Sequence, residues 1–81
     1  MNPRVKYVKY LSKYKLILTF NNSEVRLFDL TPYLTYPIYK PLQDESICQT
    51  ADVYNGTVVW NDYTDFDPDT LYLESKPIET K

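Results

Sequence analysis

The chain has no histidine, one cysteine, one glycine and no long apolar run. Without histidine the commonest general base and metal ligand is missing, so Ser-His-Asp and Cys-His arrangements cannot be assembled. A lone cysteine closes no intramolecular disulfide and builds no structural zinc site, which points to a reducing cytosol. A lone glycine rules out the glycine-rich loops that cradle phosphates. The apolar runs fall far short of a membrane span, and no positively charged apolar leader is visible. The chain therefore reads as cytoplasmic and non-enzymatic, with no membrane contact, cofactor or metal.

What is present suits one small domain spanning residues 1–81. A chain of this length buries only roughly 60–65% of its unfolded surface, so its core is thin. Nine tyrosines and an aromatic share of 16% offset this, because each large ring can bury about 150–250 Å². The net charge of −2 is unevenly spread, since all 11 acidic residues lie at Glu24 or later. The first 23 residues carry five basic groups and sum to +5; the other four basic groups against 11 acids leave −7.

The glycine sits in Tyr54-Asn55-Gly56-Thr57. Asn-Gly supplies the two positive φ angles of a type I′ turn, whose twist matches right-handed strands. Pairing outward sets Tyr54 opposite Thr57, Val53 opposite Val58, Asp52 opposite Val59 and Ala51 opposite Trp60. Ala51, Val53, Val58 and Trp60 then share one face.

Earlier in the chain, segments Arg4–Leu11, Tyr14–Phe20 and Val25–Leu30 predict a three-stranded meander. With turns centred on Ser12-Lys13 and Asn22-Ser23, Leu18 faces Tyr7 and Leu27, and Phe20 faces Val5 and Val25. The core face is then Val5, Tyr7, Leu16, Leu18, Phe20, Val25 and Leu27. Lys6, Val8, Tyr10, Lys15, Ile17, Thr19, Arg26 and Phe28 make a mixed outer face, and a one-residue slip would exchange the two.

Thr31 reads as an N-cap with Pro32 at the first helical position, and Pro37 and Pro41 stop any helix from running far. Gln43–Cys48 suits a second helical turn, with Asp44 near its start. Asp67-Pro68-Asp69 opens a short terminal helix that closes before Pro77. Five strands, short helical turns and no βαβ rhythm give an α+β class dominated by antiparallel sheet.

Three constellations carry possible chemistry. Asp65, Asp67 and Asp69 have the alternate spacing that opens a calcium loop, yet Thr70 stands at the sixth position and Lys76 at the twelfth. A polar turn leading into a capped helix is the plainer reading. Arg4, Lys6, Lys15 and Arg26, interleaved with tyrosine, form a nucleic-acid candidate, although dedicated binders are strongly basic and this chain is acidic. Tyr33, Tyr36 and Tyr39 recur every third residue between prolines, as a docking surface or as lids over the core. Cys48, beside Ile47, reads as a small buried residue.

Two stretches together resemble a small bacterial family called domain of unknown function twenty-four forty-two. Val25-Arg26-Leu27-Phe28-Asp29-Leu30-Thr31-Pro32-Tyr33-Leu34 is similar to its strand-to-turn block. Trp60-Asn61-Asp62-Tyr63-Thr64-Asp65-Phe66-Asp67-Pro68-Asp69-Thr70-Leu71-Tyr72 is similar to its closing block. Leu42-Gln43-Asp44-Glu45-Ser46-Ile47 and the opening Pro3-Arg4-Val5 also fit, so the resemblance spans nearly the whole chain. Asn22-Ser23 and Tyr63 stand where the family often has glycine, which bears on turn geometry. The resemblance implies a compact α+β domain. Some members stand alone, some are joined to a helix-turn-helix segment, and some are encoded beside a second small protein. With three residues after Ile78, this chain is expected to lack that DNA-reading segment.

The leading expectation is a non-catalytic protein-interaction or regulatory module, an antitoxin-like partner of another small protein encoded nearby. Tyr33, Tyr36, Tyr39, Trp60, Tyr63 and Tyr72 are the candidate contacts, and homodimerisation suits so slight a core. The alternative is a nucleic-acid or transcription-regulator accessory role through Arg4, Lys6, Lys15 and Arg26, with nucleic acid an improbable partner for the chain alone. A carboxylate-dependent metal enzyme using Asp65, Asp67 and Asp69 ranks third.

Overall fold

Alternating apolar residues in the first third build three antiparallel strands, β1 (Val5–Tyr10), β2 (Lys15–Phe20) and β3 (Val25–Asp29). The computed structural model describes residues 2–60 and 64–78. Two 3-10 segments follow, Thr31–Tyr33 and Pro37–Gln43, then the short helix α1 (Glu45–Cys48). The hairpin β4 (Asp52–Tyr54) and β5 (Thr57–Trp60) precedes β6 (Thr64–Asp65), α2 (Pro68–Leu73) and β7 (Lys76–Pro77). One sheet has the order β1-β2-β3-β7 and the other β4-β5-β6. The α+β class holds, with two strands more than the five expected among the described residues.

The Asn-Gly hairpin forms in the expected register, Asp52 opposite Val59, Val53 opposite Val58 and Tyr54 opposite Thr57. Asn55 at φ 55° and Gly56 at φ 83° supply the two left-handed residues of the turn.

The meander register departs from expectation by one residue at both turns. Lys15 N–H donates to Ser12 O across Lys13 and Tyr14, both left-handed at φ 54° and 66°. Leu11 N–H also reaches Lys15 O at 2.9 Å, so three residues rather than two are enclosed. Asn21, Asn22 and Ser23 are likewise enclosed between Phe20 and Glu24, with Ser23 at φ 75°. Leu18 therefore faces Val8 and Arg26, and Leu16 faces Tyr10 and Phe28. A bulge between Val5 and Tyr7 restores Val5 opposite Phe20.

The slip exchanges faces on β1 and β3, as period-two side chains require. Phe28 enters the core and Val8 and Tyr10 pack against it, while Tyr7 is 62% exposed. Val25 and Leu27 move to the outer face with Ile17. On β2 the expected core residues Leu16, Leu18 and Phe20 are all buried.

The helical starts are also legible, with one correction. Asp44 caps α1 by accepting from Ser46 N–H at 3.0 Å, and Asp67 caps α2 by accepting from Thr70 N–H at 3.2 Å. Thr31 caps nothing. Its N–H instead donates to Asp29 Oδ1 at 2.9 Å, an Asx turn in which the carboxylate two residues back caps the segment.

One hydrophobic cluster joins the two sheets through Leu16, Leu18, Phe20, Phe28, Val58 and Trp60, closed by Leu42, Cys48 and Leu71. Trp60 Nε1 donates to Cys48 O at 2.8 Å, fixing the hairpin to α1. Tyr10 donates to Glu45 and Tyr14 to Gln43 O, which ties α1 and the segment before it to the first turn. Among the described residues, no helix is long and apolar enough to cross a membrane.

Candidate functional site

Pro37 and Pro41 forbid a regular helix after β3, and the chain between them winds as a tight 3-10 run. That winding returns the tyrosines of the segment to one aromatic cluster. Tyr33 stacks on Phe28 with centroids 5.5 Å apart, and Tyr39 lies parallel to Phe66 at 4.5 Å. Tyr33 meets Phe66 edge-on at 5.4 Å, and Trp60 supports Phe66 from below at 5.7 Å. Such contacts exceed plain area burial by about 0.5–1.5 kcal/mol per pair.

Tyr33 and Tyr39 are half-buried lids, and their hydroxyl pKa values are pushed up, by burial first and then by neighbouring charge from Glu74 and Asp65 respectively. Tyr36 stands above them at 53% exposure, 6.1 Å from Tyr33, and Ile38 beside it is 60% exposed. Two large side chains, Tyr36 against the aromatic cluster and Ile38 two residues on, are thereby exposed to water. Ile38 was not singled out in the sequence, although its place inside the Tyr-Pro-Ile-Tyr run was the available signal.

The other interaction candidates divide. Trp60 is fully buried and has no surface to offer a partner. Tyr72 is half-buried, meeting Phe20 edge-on and donating to Glu24 at 2.7 Å. Tyr63 lies outside the described residues.

A polar cleft of about 490 Å³ opens at the hairpin tip, lined by Arg4, Tyr54, Asn55, Asp65, Asp67 and Pro68 among others. Thr57, also on its wall, is committed to donating its hydroxyl to Phe66 O. Asp65 lines this cleft, and the two later aspartates serve different neighbours. Asp67 caps α2, and Asp69 accepts from Asn2 at 3.3 Å. Among the described residues, no group of three ligating side chains is placed to hold a metal.

The basic candidates do not share a face. Arg26 points inward, where Nε donates to Ser75 Oγ at 2.8 Å, Nη2 to Ser75 O at 2.7 Å and Nη1 to Glu24 at 3.0 Å. Its guanidinium also lies 4.5 Å from the Tyr72 ring centre. Lys15 pairs opposite Asp29, Lys6 is exposed beside Tyr7, and Arg4 belongs to the polar cleft. The slip in the β2–β3 register turned Arg26 away from the others.

A family model described as "Protein of unknown function (DUF2442)" matches residues 5–77, and the chain belongs to that family. Its fold is similar to a crystal structure from Nitrosomonas europaea ATCC 19718 bearing the name "Putative DNA Binding Protein". The TM-score is 0.80 at 26% identity, over 93% of this chain. The chain spans half of that protein, 50% of its length. No curated protein matches the chain.

Proposed function

We propose that this DUF2442 chain is a non-catalytic protein-interaction module that works as a regulatory, antitoxin-like partner of another small protein. The carrying observation is the pair Tyr36 and Ile38, both more than half exposed, with Tyr36 set edge-on against the Tyr33 ring of the aromatic cluster. Exposed tyrosine and aliphatic side chains fixed in advance lose little freedom on binding, and tyrosine is enriched at interface cores. The inventory of groups agrees with a non-catalytic role. The chain has no histidine and its only thiol is buried. In a cytoplasmic setting the partner is another small protein, and self-association of the chain is the alternative use of the same face.

The test is co-expression of the chain with the protein encoded beside it, followed by affinity purification. The wild-type chain should retain a stoichiometric partner, and Y36S/I38S should lose it with thermal stability within a few degrees of wild type. Retention by the double variant at wild-type stoichiometry refutes the tyrosine face.

A second reading, an accessory role beside DNA, is favoured by the likeness to the Nitrosomonas protein, whose name describes it as DNA-binding. In that reading the domain regulates a DNA-reading segment, and its own cations contribute only weak, salt-sensitive phosphate attraction. Fluorescence anisotropy with duplex and single-stranded DNA at low salt tests it, and no binding at micromolar protein removes direct contact.

A further inference from the structure

The outer face of the four-stranded sheet carries an arrangement unlike an ordinary solvated surface. Lys9, Ile17, Leu27 and Lys76 form one row across β1, β2, β3 and β7. Thr19 and Val25 pair in the next row, with Tyr7 beside Thr19 and Ile78 N–H bonded to Val25 O at 3.0 Å. Ile17, Val25 and Leu27 are half-buried among their strand neighbours, but none belongs to the core cluster or packs against it. A solvated face of an antiparallel sheet normally alternates to polar residues. Here the Ile17–Leu27 row has an aliphatic centre with lysine on both flanks, and the aliphatic strip runs on to Val25 on one side and is bounded on the other by the Lys15–Asp29 pair.

We infer that this face docks an acidic amphipathic helix from a protein partner. Three strand spacings separate Lys9 from Lys76, about 14 Å, and an α-helix with its side chains is about 10–12 Å wide. A helix lying along the β2–β3 seam sets its apolar stripe on Ile17, Leu27 and Val25. Its two acidic flanks then meet Lys9 on one side and Lys76 on the other. Nucleic acid fits less well, because base stacking needs aromatic planes at the centre of the sheet, and the one aromatic residue in these rows, Tyr7, is on the edge strand β1. The inference rests on the reading of the chain as an interaction module and adds a partner class at a surface separate from the Tyr36–Ile38 face.

The test is an NMR titration of the isotope-labelled full chain with three probes. They are a leucine–glutamate amphipathic helical peptide, the same peptide with lysine for glutamate, and an oligothymidine strand. The glutamate peptide should shift the amide signals of β2, β3 and β7, with affinity falling as salt rises. K9E/K76E should weaken it about tenfold, the equivalent of two exposed charge pairs, and should gain affinity for the lysine peptide. Thermal melts of K9E/K76E matching wild type exclude misfolding as the cause. The inference is overturned by no response to the glutamate peptide, by shifts centred on Tyr36 and Ile38, or by oligothymidine alone moving these signals. Failure here with Y36S/I38S still releasing the co-expressed partner removes only the helix dock.

Discussion

The side chain of Arg4 lies directly on Gly56. A Cβ at position 56 would stand 3.0 Å from Arg4 Cβ and 3.2 Å from its Cδ. Arg4 has little room to withdraw, since Asn21 N–H donates to its carbonyl at 2.8 Å and the next residue, Val5, donates to Gly56 O at 3.0 Å. The sole glycine thus meets two demands, the left-handed turn and the close approach of the N-terminal arm.

Gly56→Ala should cost about 1–3 kcal/mol, combining a positive φ with a tight contact. Urea unfolding of the single variant and of G56A/R4G separates the two terms, because R4G removes the clash and leaves the backbone strain. Equal losses in both variants would show that the contact with Arg4 carries no energy.

Arg26 should behave as a structural residue. It is 13% exposed, and its guanidinium satisfies both polar oxygens of buried Ser75. Arg26→Ala should cost about 2–3 kcal/mol, since it removes the donors to both Ser75 oxygens and leaves the Ser75 hydroxyl with only its bond to Tyr72 O. Arg26→Lys should recover less than half of that, lacking the planar fork. The same cluster holds the Glu24 carboxyl below its ordinary range, chiefly through the Tyr72 hydroxyl and then Asn22. That stabilisation is present above the ordinary carboxyl pKa and is lost as pH falls through the depressed value, so Y72F should flatten the acid side of the stability profile more than R26A does. A phosphate-contact role for Arg26 predicts the opposite pattern, unchanged folding with weaker DNA binding.

The parts of the fold readable from sequence were those fixed by local chemistry. Asn55-Gly56 sets its own hairpin register because the turn type admits one pairing. Asp44 and Asp67 cap the residues immediately after them, so no distant contact had to be known. The meander was misregistered because Ser12-Lys13-Tyr14 and Asn21-Asn22-Ser23 place non-glycine residues at positive φ. No sequence rule marks Lys13, Tyr14 or Ser23 for that conformation as strongly as glycine marks it. One slipped residue at each turn then carried Phe28 inward and Leu27 outward, and with Leu27 went the lysine-flanked row. The tyrosines of the 31–39 segment were legible as a group. Their division into the lids Tyr33 and Tyr39 and the exposed Tyr36 was not, because Phe66 arrives from the far end of the chain, just after β6, and Phe28 turns inward only through the register of β3.

Alkaline pH should weaken the anchor of α1. Burial first, and then the hydrogen bond to Glu45, push the Tyr10 hydroxyl from 10.0 to about 12. A raised folded-state pKa contributes stability that is whole below the ordinary value and lost as pH rises toward the shifted one. Urea midpoints should therefore fall above about pH 10. Tyr10→Phe should lower stability by about 1–2 kcal/mol at neutral pH and make the alkaline decline shallower. The slope should not vanish, because Tyr33, Tyr39 and Tyr72 are shifted in the same direction. An identical alkaline slope in wild type and Y10F would place the Tyr10 proton outside the folding equilibrium.

Cys48 should react only when the fold opens. Its side chain is fully buried, and burial, followed by the nearby Glu45 charge, pushes the thiol up to about 11. The thiolate is the reactive species, so the native chain presents neither access nor nucleophile at neutral pH. Trp60 closes the hairpin over the same segment through its bond to Cys48 O. Escape of the sulfur therefore requires separation of the hairpin from α1, which amounts to loss of the core. Iodoacetamide labelling at neutral pH should be at least about a thousandfold slower than in the urea-unfolded chain, in line with a stability of several kcal/mol. Its rate should rise with sub-denaturing urea along the same slope as global unfolding. Trp60→Phe removes the bond while keeping a large ring, and should speed labelling in proportion to the stability lost. Labelling of the wild type within about tenfold of the unfolded rate, insensitive to urea, would instead reveal a local opening at α1 and disconnect the hairpin from the exposure of the thiol.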